Sequence, residues 1–348
     1  MSRHHPPRGA ALFVPTPGQH EVMPLVGRDP QLLRVLDIVN RAADTEASVL
    51  ILGESGTGKE IIARLLHQRS KRREGPFVPV NCGSVPESLQ ESELFGHMKG
   101  AYTGADERAL GKIEAAADGT IFLDEIGEMT PALQPKLLRF LQFGEYSPVG
   151  CPHPLRCRVR IVAATHRNLR DMVANGLFRA DLYYRLNVLR LELPPLRERH
   201  DDIGMLIEHF VGVAAGMYQK GITGLTPSAG AALQAYSYPG NVRELENIIH
   251  AAVLLARGPV IDLADLPAEV TVPHATVHSR AVSNFHSAKA SVIAEFEHKY
   301  LTRLLEESHG VVSTAARLCG LSERNLHIKL KQYRLTRYGN QPERPENG

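Results

Sequence analysis

Residues 50–60, LILGESGTGKE, set three glycines and a lysine directly after an apolar run: Gly53, Gly56, Gly58 and Lys59, with Glu54, Ser55 and Thr57 between them. Glycines let successive backbone N–H groups curl round an anion, the lysine reaches its outer oxygens, and a helix beginning there adds its positive pole. This is P-loop spacing, and it predicts a strand before the motif, a helix after it and a nucleoside triphosphate, ATP, in the cradle. Glu60 stands where a Ser or Thr ordinarily follows the lysine to touch Mg²⁺.

A second constellation follows about 65 residues on, in GTIFLDEIGEM (119–129). An apolar strand there delivers Asp124 and Glu125 at its carboxyl end, where open α/β sheets bind ligands. Asp124 suits the Mg²⁺ shell as a metal ligand, and Glu125 suits the orientation of an attacking water. An acidic pair after a strand is also compatible with a solvated turn; the P-loop upstream favours the catalytic reading. FRADLYYRLNV (178–188) offers Arg179 and Arg185 as further positive charge, or as partners in surface ion pairs. In YPGNVRELENII (238–249), Arg243 lies just inside a helix entered through Pro239 and Gly240, placed to reach back to bound nucleotide.

The elements that must carry these residues read as α/β. SVLILG, GTIFLDE and VRIVAAT are continuous apolar runs of the kind buried on both faces of a parallel sheet, and helical periodicity alternates with them. The chain has 348 residues, 43% hydrophobic and 22% charged, enough for two or three soluble domains, and its net charge of +2 confines any nucleic-acid binding to a local basic region. No apolar run approaches the roughly 20 residues of a membrane span, so a cytoplasmic protein is expected. Its four cysteines, Cys82, Cys151, Cys157 and Cys319, lack metal-ligand spacing and read as reduced thiols.

The expected organisation is a disordered leader over 1–22, a P-loop α/β subdomain over 23–195 and a helical lid over 196–265, with the strands stopping near 195. A Pro- and His-rich linker over 266–288, a small all-α helix-turn-helix domain over 289–338 and a tail over 339–348 complete it.

Taken together, GESGTGKE, ESELFGHMKGAYTGA, GTIFLDEIGEM, FRADLYYRLNV and YPGNVRELENII resemble, in that order, the AAA+ domain of sigma-54-dependent transcriptional activators, the bacterial enhancer-binding proteins. The resemblance runs from about Leu25 to Ala264 and on into the tail. Within it Glu60 is ordinary. It implies a homo-oligomer, dimer to hexameric ring, with ATP sites at subunit boundaries. Arg179 and Arg185 fall in the arginine-finger region, supplied by the neighbouring subunit, and Arg243 at the second sensor. Asn81, in VNCGSV, matches the asparagine that restrains the catalytic glutamate, here Glu125. Thr165 and His166, in AATHRNL, fall at the first sensor. Departures are Met98, Asp118 in place of a glycine, Phe143, and Tyr238 where Trp is common.

The same resemblance gives residues 100–105, GAYTGA, a role that the residues alone leave open, since their spacing also fits a plain surface turn. Gly100, Ala101, Tyr102, Thr103, Gly104 and Ala105 form the loop that grips sigma-54, with tyrosine in place of the usual phenylalanine. Glycines permit a tight hairpin, small residues a narrow tip, and the aromatic and hydroxyl supply contact.

In SVIAEFEHKYLTRLLEE (291–307), Ile293, Phe296, Tyr300 and Leu304 form a stripe that fits a core or a dimer seam. VVSTAARLCGLSERNLHIKLKQYRL then reads as helix, turn at Cys319, Gly320 and Leu321, and a second helix capped by Ser322. Ala315, Ala316, Leu318, Leu321, Leu326, Ile328 and Leu330 are available for its core. Five Lys or Arg stand against one acid between Ser322 and Tyr338. That basic helix resembles the Fis-type domain ending such activators, with Ser322, Arg324, Asn325, His327, Lys329 and Lys331 as DNA-contact candidates.

The function expected is thus an ATPase activator that remodels sigma-54 RNA polymerase at promoters from enhancer DNA. The rivals are another AAA+ remodelling ATPase and a DNA-binding regulator with a vestigial ATPase core. About 24 residues precede Leu25, fewer than a receiver or ligand-sensing domain needs, so no N-terminal regulatory domain is expected, and control in trans by a separate protein or by expression level is.

Overall fold

The computed structural model describes residues 25–102, 105–271, 297, 300–305, 307–308, 310–333 and 335. The leader and most of the expected linker lie outside them. The chain divides into two compact units, one through residue 272 and a second from 273.

Five parallel strands form the central sheet of the first unit: β1 (Val49–Leu52), β2 (Phe77–Asn81), β3 (Thr120–Asp124), β4 (Arg160–Thr165) and β5 (Leu189–Glu192), in the order β2-β3-β4-β1-β5. β1, β3 and β4 are the three apolar runs singled out in the sequence. Their continuity follows from burial on both faces. Leu50, Ile121, Leu123, Ile161 and Ala163 face one core with Phe95, Leu137 and Phe140. Val49, Ile51, Phe122, Val162 and Ala164 face the other with Leu32, Val39, Ile62 and Leu66. β2 and β5 are the sheet's edges.

The longer helices of this layer are α1 (Pro30–Ala42), α2 (Lys59–Gln68), α3 (Glu87–Phe95), α4 (Gln134–Phe143) and α5 (Ala180–Leu186). Asp29 caps α1 by accepting from the N–H groups of Gln31 and Leu32. Arg160, buried on β4, donates to the carbonyls of Ala42 and Ala43 at its other end.

The lid comprises α6 (His200–Met217), α7 (Pro227–Ala235) and α8 (Asn241–Leu255) around Leu206, Phe210, Leu233, Tyr238, Leu245 and Ile249. It differs from expectation in two ways. Strands do not stop near 195: Gly224–Leu225 pairs in parallel with Val260–Ile261. The lid also runs past 265, because Leu266 and Val270, the latter in the helix Ala268–Thr271, are buried in its core.

In the second unit α9 (Val312–Cys319) and α10 (Glu323–Gln332) are joined by Gly320, whose φ of 70° gives the left-handed turn. The core holds Leu301, Leu304, Leu305, Val312, Ala315, Ala316, Leu326 and Leu330. Leu318 (61% exposed) and Ile328 (58% exposed), expected inside, face out, because the buried stripe of each short helix follows its neighbours one turn away. Of the upstream stripe, Leu304 is buried as expected, but Tyr300 is 45% exposed and Leu301 takes its place in the core; Ile293 and Phe296 lie outside the described residues.

Candidate active site

β1 ends at Leu52, the P-loop follows, and α2 begins at Lys59. Gly56 (φ 78°) and Gly58 (φ 97°) take the left-handed conformations the loop requires. The Lys59 ammonium is buried, donating to the carbonyls of Gly53 (3.0 Å) and Glu54 (3.2 Å) and lying 3.5 Å from the Glu125 carboxylate. Thr57 is buried, its hydroxyl donating to the carbonyl of Glu54. Glu60 turns away from the cradle into an exposed pair with Arg64, one turn along α2.

Asp124 closes β3 beside Asn81, its register partner at the end of β2. Glu125 follows with φ 49°, a left-handed conformation that costs a non-glycine residue energy and is characteristic of sites where a side chain is aimed. Its carboxylate accepts from the His166 ring Nδ1 at 2.7 Å and from the His166 backbone N–H at 3.3 Å. Burial alone pushes the Glu125 carboxyl up, but the Lys59 charge and the His166 hydrogen bonds outweigh it and hold the group below the usual range. Asp124 is raised, by burial first and then by the Glu125 charge, with Lys59 opposing. Below the pair, burial and both carboxylates push the Cys82 thiol up to about 12.

Thr165, at the end of β4, is buried, and its hydroxyl accepts from the Arg167 N–H. Asn81 does not bond Glu125 here: its side-chain oxygen accepts from the Gly83 N–H, closing its own turn, and it is His166 that bonds the Glu125 carboxylate. An open cleft of about 650 Å³ adjoins these groups, lined by Gly53, Glu54, Thr165, His166, Leu193 and Arg197.

The lid touches the P-loop directly. Arg243 Nη1 donates to the Ser55 hydroxyl at 3.3 Å. Two further residues enter that sequence reasoning missed: Arg197 grips the Glu54 carboxylate with both terminal nitrogens (2.6 and 2.7 Å), and Asn241 reaches Glu54 and Ser55. Asn241 lies inside YPGNVRELENII, two residues before Arg243, and Arg197 follows the point near 195 where the strands were expected to stop; what was invisible was the long-range partner.

Arg179 and Arg185 bracket α5 away from this cradle. Arg179 pairs with Asp181 at 2.8 Å, and Arg185 donates to the Leu141 carbonyl. Arg185 lines a cavity of about 390 Å³ with Ala47 and Ser48, beside the N-terminal end of β1, whereas the P-loop leaves its C-terminal end.

The 95–105 segment leaves α3 as a short hairpin, Gly96–His97 pairing antiparallel with Ala109–Leu110. Gly100 (φ 79°) donates to the Ala105 carbonyl and Ala105 to that of Tyr102. Tyr102 is 41% exposed and packs its ring on His97, which Ser92 of α3 holds at 2.6 Å. Ala101 lies against Gly150 of the neighbouring loop. Thr103 and Gly104 lie outside the described residues.

In the tail, Ser322 caps α10 by accepting from Asn325 N–H. Arg324, Asn325, His327 and Lys331 are exposed, but the Lys329 ammonium is bound to Glu297 at 2.5 Å.

Family models match the chain in three consecutive blocks: a sigma-54 interaction domain over residues 25–192, an AAA+ ATPase lid domain over 197–282, and the Fis-family bacterial regulatory protein domain over 292–333. Regulatory protein AtoC of Escherichia coli is 43% identical over 318 residues, spanning 89% of this chain and 67% of AtoC. Transcriptional regulatory protein FlbD of Caulobacter vibrioides is also 43% identical, spanning 93% of this chain and 76% of FlbD. The chain belongs to the sigma-54-dependent activator family. Among solved structures it is similar to NtrX from Brucella abortus, at a TM-score of 0.68 and 35% identity over 88% of this chain and 69% of that one. NtrX has also been solved with ATP, and that structure covers 89% of this chain at a TM-score of 0.67 and 34% identity. The architecture is that of a sigma-54-dependent transcriptional regulator: a parallel five-stranded P-loop sheet, an AAA+ lid and a helix-turn-helix tail. No helix among the described residues is long and apolar enough to cross a membrane.

Proposed function

We propose that this activator hydrolyses ATP, in a ring of identical subunits, to remodel sigma-54 RNA polymerase from the closed to the open promoter complex while its tail holds enhancer DNA. The observation that carries the reading is the convergence of Lys59, Glu125 and His166, 3.5 and 2.7 Å apart, at the C-terminal edge of the sheet beneath a lid that contacts the P-loop. Phosphoryl transfer asks a protein mainly for positioning and charge, and these residues offer both. In this arrangement the catalytic carboxylate is parked on a lysine and a histidine. A γ-phosphate in the cradle competes for the Lys59 ammonium, which frees Glu125 to orient water. Thr165 and His166 are then placed to report the change.

The residues fit a bound Mg²⁺ ion. Two crowded carboxylates, one with a raised pKa, form a place that a divalent cation relieves. Among the described residues no cluster of three or more His, Cys, Asp or Glu could hold a metal alone, so Asp124 would share the ion with nucleotide phosphates and water. The cation would neutralise charge on the transferring phosphoryl group.

ATP turnover by the purified protein tests the reading and separates it from a regulator with a vestigial core. Glu125→Gln should keep ATP binding and lose about 10²–10⁴-fold in kcat; undiminished hydrolysis would refute the assignment. Thr103→Ala should abolish open-complex formation with ATPase largely retained, and joint loss of both would sink the separation of roles. Another AAA+ remodelling machine would hydrolyse ATP without responding to sigma-54.

A further inference from the structure

Asn241 is wholly buried at the entry of α8, with φ 55°. Asparagine tolerates the left-handed region better than most side chains, but the conformation still costs energy and must be held by what surrounds it. Its amide bridges two parts of the molecule. Oδ1 accepts from the Leu196 N–H at 2.8 Å, and Nδ2 donates to the Ser55 carbonyl at 2.9 Å and to Glu54 Oε2 at 3.1 Å. Both oxygens of Glu54 also accept from Arg197, next in chain to Leu196, so Oε2 is shared by Arg197 and Asn241. The neighbouring Val242 N–H donates to the Gly56 carbonyl at 3.0 Å, and a Cβ on Gly56 would lie 2.2 Å from the Gly240 carbonyl, so lid and P-loop meet backbone to backbone.

The lid therefore holds carbonyl oxygens of the P-loop, those of Ser55 and Gly56. A peptide unit is planar and trans, so fixing the carbonyl of one residue fixes the direction of the next residue's N–H. Holding Ser55 and Gly56 sets the direction of the N–H groups of Gly56 and Thr57, the kind of donors a P-loop offers to phosphate; that of Thr57 donates at 3.4 Å to the Glu54 carbonyl.

We propose that Asn241 is a positioning residue for nucleotide. It sets the P-loop donors from the lid and ties their geometry to Leu196 and Arg197, where the chain enters the lid. The inference rests on the nucleotide reading of the site and names a residue outside the phosphate cradle on which that site depends.

The test is calorimetric titration of the full chain with ADP. Asn241→Gly keeps the left-handed backbone and deletes only the side chain, and should weaken ADP by about tenfold, the scale of one or two missing hydrogen bonds, with the ATP KM rising while kcat changes less. Asn241→Asp, which keeps shape and the Leu196 bond but faces Glu54 with a second carboxylate, should weaken ADP as well. Glu54→Gln added to it should recover part of the loss, because the new amide donates to the aspartate. That rescue is a readout a purely structural role would not move. ADP affinity unchanged in Asn241→Gly, or Asn241→Asp and Glu54→Gln losses that simply multiply, would overturn the inference alone; a wild-type chain that takes up no ADP would overturn the nucleotide reading beneath it.

Discussion

Asp124 and Glu125 are adjacent, yet the site pushes their pKa values in opposite directions, and the signs can be followed into stability. A carboxyl held below its ordinary value, as in Glu125, lends stability above the unfolded pKa and loses it as pH falls through the folded one. Asp124 is raised, by burial and then by Glu125, so its ionised form opposes folding at neutral pH. Asp124→Asn should therefore raise the nucleotide-free melting temperature at neutral pH while abolishing Mg²⁺-dependent hydrolysis. The gain should fade as pH falls through the raised folded value and be gone below the ordinary aspartate range; a melting temperature that drops in the variant at pH 7 would refute the account. Tyr238 supplies a second prediction, from the position where the family commonly has Trp. Its fully buried hydroxyl donates to the Leu233 carbonyl at 2.6 Å, so Tyr238→Phe leaves a buried acceptor unpaired and should cost about 1–2 kcal/mol in denaturant unfolding. Lys59, Asp124 and Glu125 are legible in the sequence because glycine spacing and a strand-end acid pair are local patterns. The partner of Glu125 is not: His166 meets it across 41 residues, and Asn81, assigned to that task by resemblance, bonds Gly83 instead.

Among the elements, those with a complete pattern are readable and those with half a pattern are not. β1, β3 and β4 announce themselves because burial on both faces demands unbroken apolar runs, whereas the edge strand β2 is FVPVN, in which Val80 alone is buried, and carries little signal. Gly320 and Ser322 locate the helix-turn-helix to the residue, but Leu318 and Ile328 face outward against expectation, since packing fixes the phase of a two-turn helix more than its own composition does. Phase also decides which cations of α10 are available to DNA. Arg324 and Lys331 are exposed about two turns apart, while Lys329 is bound to Glu297, whose carboxyl is held below the usual range chiefly by that bond. Arg324→Ala or Lys331→Ala should weaken DNA binding and reduce the slope of log affinity against log salt by about one for each phosphate no longer neutralised. Lys329→Ala should instead leave that slope nearly unchanged and loosen the tail, seen as earlier thermal unfolding of the second unit. Equal slopes for all three would show that exposure does not sort these residues.

At the scale of the whole molecule, Arg179 and Arg185 make their hydrogen bonds outside the P-loop of their own chain. Arg185 lies beside Ser48 at the start of β1, and four residues of strand, roughly 13 Å at 3.3 Å per residue, separate that edge from the P-loop. Arg179 is turned to Asp181 and Arg185 to the Leu141 carbonyl. On the exposed side of α5, Tyr184 (72% exposed) and, just beyond it, Val188 (60% exposed) leave apolar surface flanking Arg185, which suits burial against another copy. If the arginines act in a neighbour's site, catalytic defects in the P-loop and in α5 belong to different subunits and should complement. Lys59→Ala and Arg185→Ala proteins, each inactive alone, should regain ATPase when mixed, because some interfaces then join an intact P-loop to an intact arginine. Random assembly of a heterologous ring in equal proportions makes about one interface in four complete, so the mixture should approach a quarter of wild-type activity. A mixture as inactive as its components would place Arg185 in its own subunit's site or outside catalysis. Recovery that depends on total protein concentration, and disappears on dilution in parallel with the large species in sedimentation, would tie the activity to ring assembly.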